Sequence, residues 1–578
     1  MKPVRLPAAA TLALPRWGLF ALALLYILPG LFGRDPWKND DAGSFGVVWT
    51  MAHGGLADWL APNIAGLSTP QEGPLAFWIG AVCVKLFGWL LGDILASRLA
   101  AIGFFLLGAL SVWYTAFLLG RRSEVQPLRL AFGGQPEPQD YGRTLADGAL
   151  LIYLGFLGLL KHSHSTTAGA LQVALIAFIL YAAVKLFDTR SKRMTVALGI
   201  ALGCSVLTRG PAAPVVLLAS LMALAGLRDR PLLARLAAIC LPLAMLIPAF
   251  WILACSQLPT GYRPVADWLV WNAHTVGWPS ADSLKYFLKN GIWFAWPAWP
   301  FAGWAVYAWR KQWDALHIAL PLLFVNVLAV LAIFTPSADE NILLPLLPAL
   351  AILAAFGLPT MKRGAINAVD WFSVMTLTTC AAFIWVGWVA KQTGWPAQLA
   401  RNAFKLAPGF KPEFSIIAFV VAAAATASWF VLVKWRISRQ PQVLWRAVVL
   451  SSGGVILCWL LLMTLWLPWG NYMKSYAGVA AQIAASLPPV RNCVASDVGP
   501  AQRASFAFYG QIPFARIASQ RCDFLLLQDT SRAGSGDGAG GASGDGVLAR
   551  GGDRWRLLWE GHRPADRDER FRLYRRAP

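Results

Sequence analysis

Apolar runs long enough to cross a membrane, broken by short polar stretches, recur along most of the chain. Fourteen such segments can be read, beginning with 17–33, 74–91 and 95–119 and ending with 413–434 and 444–467. A helix needs about 20 apolar residues to cross a hydrocarbon core of about 30 Å, so the pattern predicts an α-helical polytopic membrane protein. The first run follows Lys2, Arg5 and Arg16 but lacks a small-residue cleavage site, and reads as an uncleaved first helix.

The polar stretches orient the helices. Lys and Arg concentrate at 121–143, 188–193, 228–235, 310–311, 361–363 and 434–446, which the positive-inside rule places in the cytoplasm. Alternation then puts 34–73, 255–290, 335–341, 391–412 and everything after 467 on the outer side. That scheme needs thirteen crossings, with one of the first three apolar segments failing to cross. Within 34–73, Trp49, Met51, Trp59 and Leu60 are spaced as on amphipathic helices lying on the outer membrane face.

Past residue 470 the pattern changes. Short helical stretches at 480–487 and 502–509 alternate with strand-like stretches at 493–496, 524–528, 555–559 and 571–574, which predicts a small α/β domain over 471–578. A Gly- and Ser-rich stretch at 531–553 reads as a flexible loop within it. Residues 1–470 form the transmembrane domain.

Composition supports this picture. The chain is 57% hydrophobic and only 14% charged, against about 25% charged for an ordinary soluble protein. The net charge of +21 lies in the inter-helix loops rather than in a nucleic-acid-binding module, so no nucleic-acid partner is expected. Many of the 29 Trp residues flank loops, where indoles anchor at the headgroup level or stack on sugars. Six of the eight Cys sit in or beside apolar segments; Cys493 and Cys522 share the C-terminal domain and are able to form a disulfide in an oxidising compartment.

Candidate chemistry gathers on the outer side. Asp40 and Asp41 follow the first helix and Glu72 stands at the mouth of the next apolar segment. Such carboxylates can take a proton from a hydroxyl or, as Asp40 and Glu72 together, hold a divalent cation such as Mg2+, Mn2+ or Zn2+. Arg209 lies in a Thr208-Arg209-Gly210-Pro211 break between two short apolar segments, a place for a guanidinium that grips phosphate. The loop 260–290 carries Tyr262, Arg263, Asp267, Trp271, His274, Lys285 and Lys289, a mixture suited to a sugar-phosphate headgroup. Arg263 and Lys285 are further phosphate candidates, and Trp271 and His274 candidates for the substrate cavity. His162 and His164, two apart, do not share a helical face and read as non-ligands; Lys85 reads as snorkelling to an interface.

The acidic outer loop ending Gln71-Glu72-Gly73-Pro74-Leu75, the Leu207-Thr208-Arg209-Gly210-Pro211 break, the Asn341-Ile342-Leu343-Leu344-Pro345-Leu346-Leu347-Pro348 segment and the C-terminal soluble domain together resemble the aminoarabinose transferase branch of the protein-mannosyltransferase-like, GT-C fold glycosyltransferases. The resemblance implies a glycosyltransferase of the bacterial inner membrane with its C-terminal domain periplasmic; a one-step displacement would make it inverting, and a monomer is expected. Its donor would be a polyprenyl-phosphate-linked sugar of the undecaprenyl type. The acceptor would be a lipid or glycan such as lipid A, lipopolysaccharide or another envelope glycan. Asp40 matches the family's aspartate after the first helix, and Arg209 a basic residue before Gly-Pro that is usually Lys. Where the aminoarabinose enzymes have Glu-Lys-Pro-Pro, this chain places Glu72 at the Lys, and it has no Asp in 167–172. A transporter or flippase for a lipid-linked sugar, or a noncatalytic binder of one, is the alternative.

Overall fold

The computed structural model describes residues 6–131, 133–259, 263–336, 339–437, 443–489, 492–516, 521–530 and 555–577. Tyr262 and the Gly-rich stretch 531–553 lie outside the described residues. Each of the fourteen apolar segments falls on helix. Nine helices among the described residues are long and apolar enough to cross a membrane, from Ala8–Ile27 to Val448–Leu465. The most enclosed are Glu340–Thr360, Ala168–Thr189 and Val448–Leu465, all part of one large apolar core.

The bundle has two distinct ends. At one, the basic loops meet: Arg122 pairs with Asp188 and with Glu124, Arg190 Nε with Asp229 Oδ2 at 2.7 Å, Arg228 donates to the Asp314 carbonyl, and Leu444 N donates to Ala10 O at 3.1 Å. At the other lie residues 34–73, the loop around 209–212, residues 335–336 and 339–341, and the described part of the C-terminal domain. The grouping of loops is the one that charge and alternation predict.

It also identifies the segment that does not cross. Helix Leu75–Leu91 begins at Gly73, whose N–H donates to Thr208 O at 3.0 Å. It ends next to Asp93, whose carboxylate is 3.5 Å from His53 Nε2. Both neighbours belong to the same end of the bundle, so this helix returns to the side it left. Lys85 on it reaches the Trp59 ring, 5.8 Å from its centroid. Pro138–Leu154, Lys192–Arg209, Ala212–Arg228 and Ala298–Ala308 are further helices, shorter or less apolar than the nine.

Segment 34–73 folds into helices Asp40–His53 and Leu56–Leu60 and a minimal hairpin pairing Asn63–Ile64 with Leu67–Ser68. Helix Asp40–His53 does not lie free on the membrane face. Val47, Val48 and Met51 pack against Phe77, Ala81 and Val84 of Leu75–Leu91, while Ala42 and Trp49 join the core of the C-terminal domain. Its Gly46 is pressed against Ala504, so that a Cβ there would fall 2.4 Å from the Ala504 Cβ.

The C-terminal domain is a four-stranded mixed sheet, in the spatial order Val494–Asp497, Phe524–Thr530, Asp566–Arg576, Trp555–Arg563. The first pair is parallel and the others antiparallel. Helices Ala477–Ser486 and Pro500–Tyr509 cover one face, and Cys493 and Cys522 are joined as a disulfide. Arg503, buried, ties the domain to the hairpin: its Nε donates to Ile64 O at 3.0 Å, Nη2 to Ala65 O and Ala515 O at 2.7 Å each, and Nη1 to Ser496 Oγ at 2.7 Å.

Candidate active site

A cavity of about 550 Å3 opens where the outer segments meet the C-terminal domain. Its walls come from far-apart stretches of sequence: Asp40 and Ser44, Gln71 and Glu72, Thr167, Arg209, Trp271, Asp339 and Asn341, and from the soluble domain Gln502 and Gln528.

Arg209 is positioned by the end of its helix. Helix Lys192–Arg209 stops because Gly210 takes φ +91° and Pro211 has no N–H to continue the ladder. Gly210 is required there, since a Cβ would fall 1.7 Å from Asn272 Oδ1. The Arg209 guanidinium then reaches three partners: Glu72 Oε1 at 4.0 Å from Nε, Asp339 Oδ2 at 3.7 Å from Nη2, and the Asn341 carbonyl at 3.4 Å from Nη1.

Asp40 opens helix Asp40–His53, where the positive end of the helix dipole favours a carboxylate. Its Oδ2 accepts from Asn341 Nδ2 at 3.2 Å, and the same nitrogen donates to Asp339 at 3.1 Å. Asn341 therefore bridges Asp40 to Arg209, with its side chain on one and its carbonyl on the other.

Asp41, expected beside Asp40 as a second catalytic carboxylate, faces the other way. Successive helical residues point about 100° apart, so the side chain that follows Asp40 turns into the protein. There Asp41 meets Arg34 Nη2 at 3.3 Å and Arg98 Nη2 at 3.6 Å and accepts from Trp37 N at 3.1 Å. Burial alone would raise its carboxyl, but the two guanidinium groups and the Trp37 N–H hold it below its ordinary value. Both Arg are buried; Arg98 also donates to the Leu31 carbonyl at 3.1 Å. Asp41 thus anchors the turn that aims Asp40.

Glu72 behaves differently. Burial in the cavity wall pushes its carboxyl up to about 7; Arg209 pulls it down, while Asp40 and Asp339 push it up further. The expectation that Asp40 and Glu72 hold a divalent cation meets a guanidinium lying between Glu72 and Asp339. Among the described residues, no three His, Cys, Asp or Glu side chains are placed to hold a metal ion.

Among the described residues of the outer loop, Trp271 is the one that lines the cavity. Arg263 precedes helix Pro264–His274 and is exposed; His274 is exposed too, with Nδ1 2.7 Å from its own Val270 carbonyl. Lys285 lies on the exposed side of helix Ala281–Phe294, which buries Phe287 and Phe294 instead. None of these three lines the cavity that holds Arg209. His164 is buried structurally, its Nε2 2.8 Å from Tyr26 O, and His162 lies 3.6 Å from Glu340.

Asp339, Asn341, Gln502 and Gln528 belong to the site without having been singled out as site residues by sequence. Asp339-Glu340 directly before an apolar segment is the same signal as Asp40-Asp41 and would have found the first; the two glutamines carry no charge or spacing that marks them.

This arrangement of outer helices, helical bundle and soluble sheet is known. The chain superposes on the crystal structure of ArnT from Cupriavidus metallidurans in the apo state with a TM-score of 0.65, and on that of the same protein bound to undecaprenyl phosphate with a TM-score of 0.67. In each case 96% of this chain is matched to 97% of the other, at 17% sequence identity. The chain has the ArnT fold. The expected architecture, a polytopic helical membrane domain followed by a small C-terminal α/β domain, is therefore the one observed. No protein-family model matches the sequence, and no curated protein sequence does.

Proposed function

We propose that the protein is a membrane glycosyltransferase that moves a sugar from a polyprenyl phosphate of the undecaprenyl type to an acceptor hydroxyl on the outer side of the bacterial inner membrane. The observation that carries this reading is the shared cavity of Asp40 and Arg209, joined through Asn341. The ArnT fold, one example of which was crystallised with undecaprenyl phosphate, supports the choice of donor. Placement of the cavity in the periplasm is supported by the basic loops at the opposite end and by the Cys493–Cys522 disulfide in the soluble domain that forms part of its wall.

Transfer needs a base for the acceptor and positive charge for the leaving group. In this reading Asp40 takes the acceptor's hydroxyl proton as its oxygen bonds to the anomeric carbon. The bond from that carbon to the phosphate oxygen breaks, its electron pair stays on the phosphate, and Arg209 stabilises the added charge. A single displacement inverts the anomeric centre. The acceptor, lipid A, lipopolysaccharide or another envelope glycan, would enter from the outer leaflet.

Sugar transfer from undecaprenyl-phosphate-linked donors by the full chain in detergent tests this, since a flippase would need a sealed membrane and a noncatalytic binder would hold donor without turnover. Asp40→Asn is expected to lower the rate about 10²- to 10⁴-fold with the protein still folded. Undiminished transfer by that variant would remove Asp40 from the mechanism.

A further inference from the structure

The soluble domain gives the cavity two polar side chains, Gln502 from the first turn of Pro500–Tyr509 and Gln528 from strand Phe524–Thr530. Both are held from behind by one carboxylate. Gln502 Nε2 donates to Glu569 Oε1 at 2.6 Å and Gln528 Nε2 to the same oxygen at 3.2 Å. Tyr476 OH also donates to Oε1, at 2.9 Å, and Arg563 holds Oε2 through Nε at 3.1 Å and Nη2 at 3.0 Å. An ionised carboxylate only accepts, so Glu569 fixes the nitrogen of each amide toward itself. Each amide keeps a second N–H, and the Gln502 carbonyl accepts no hydrogen bond among the described residues. The helix bearing Gln502 is itself fixed by Arg503.

We propose that this wall is the sugar-recognition subsite: Gln502 and Gln528, oriented by Glu569, hydrogen-bond the hydroxyl groups of the sugar carried by the lipid phosphate. The inference rests on the donor reading above. The charge pattern of the cavity supports it. Its charged lining residues, Asp40, Glu72, Arg209 and Asp339, all come from the membrane domain, whereas the soluble domain contributes only uncharged ones. A phosphate belongs with the guanidinium. A sugar ring bears hydroxyls that donate and accept, and an amide offers both on neighbouring atoms where a carboxylate offers one. Amides fixed before the ligand arrives also lose less freedom when it binds.

The test compares affinities of the full chain in lipid nanodiscs for bare undecaprenyl phosphate and for undecaprenyl phosphate carrying glucose, mannose, galactose or N-acetylglucosamine. The wild type is expected to prefer at least one sugar-bearing lipid over the bare one. Gln502→Ala combined with Gln528→Ala should reduce that preference about tenfold, with bare-lipid affinity within about twofold of wild type as the control for folding. Full retention of the preference in the double variant, or a wild type that binds bare lipid but favours no sugar, would overturn the subsite. A wild type that binds no bare lipid would instead defeat the donor reading, and the subsite with it.

Discussion

The two ends of the bundle use the same residue types to different ends. At the basic end, Arg122, Arg190 and Arg228 pair across loops in contact with water, where each pair is weak and replaceable. At the cavity end, Arg34 and Arg98 are buried against Asp41, and Arg209 is shared among Glu72, Asp339 and Asn341. Removal from water makes these latter groups depend on their partners. What separates a charge that orients a helix from one that builds a site is therefore its solvent, not its identity.

The sharpest way to break the comparison is to remove one partner at each end. Asp41→Ala leaves Arg34 and Arg98 buried without their carboxylate and should cost about 3–5 kcal/mol, seen as a large fall in melting temperature and in monodisperse yield. Arg503→Ala leaves the Ile64, Ala65 and Ala515 carbonyls without their donor. It should cost roughly 1–3 kcal/mol and show first as faster proteolytic release of the soluble domain. Next comes Glu72. Its folded-state carboxyl is raised to about 7, so the folded protein holds this proton more tightly than the unfolded chain, and the associated stability is lost as pH rises from the ordinary carboxylate range through 7. Glu72→Gln should therefore raise the melting temperature more at pH 8 than at pH 5, by on the order of 2 °C; an equal change at both pH values would refute the assignment. Smallest is Arg190→Gln, which removes the exposed partner of Asp229 and should change stability by about 1 kcal/mol, without affecting sugar transfer.

Much of this was legible in the sequence. Apolar runs marked the helices and loop charge sorted their ends, because both follow from the cost of placing polar groups in lipid. The facing of adjacent carboxylates was not, since it depends on the exact residue at which a helix begins: Asn39 takes φ +73° and the helix starts at Asp40. Strand Asp566–Arg576 was expected only over 571–574, as its alternation is masked by Arg and acidic residues that pair across the sheet, such as Arg572 with Glu560. Arg263 and Lys285 carry suitable charge, yet only the packing of their helices decides that they stay outside the cavity.

The contact between Arg503 and Ile64 joins residues 439 positions apart. During synthesis, at about 5–20 residues per second, the first outer segment therefore waits tens of seconds for the last domain to arrive. Through that interval the face of Asp40–His53 around Gly46 has no cover of its own.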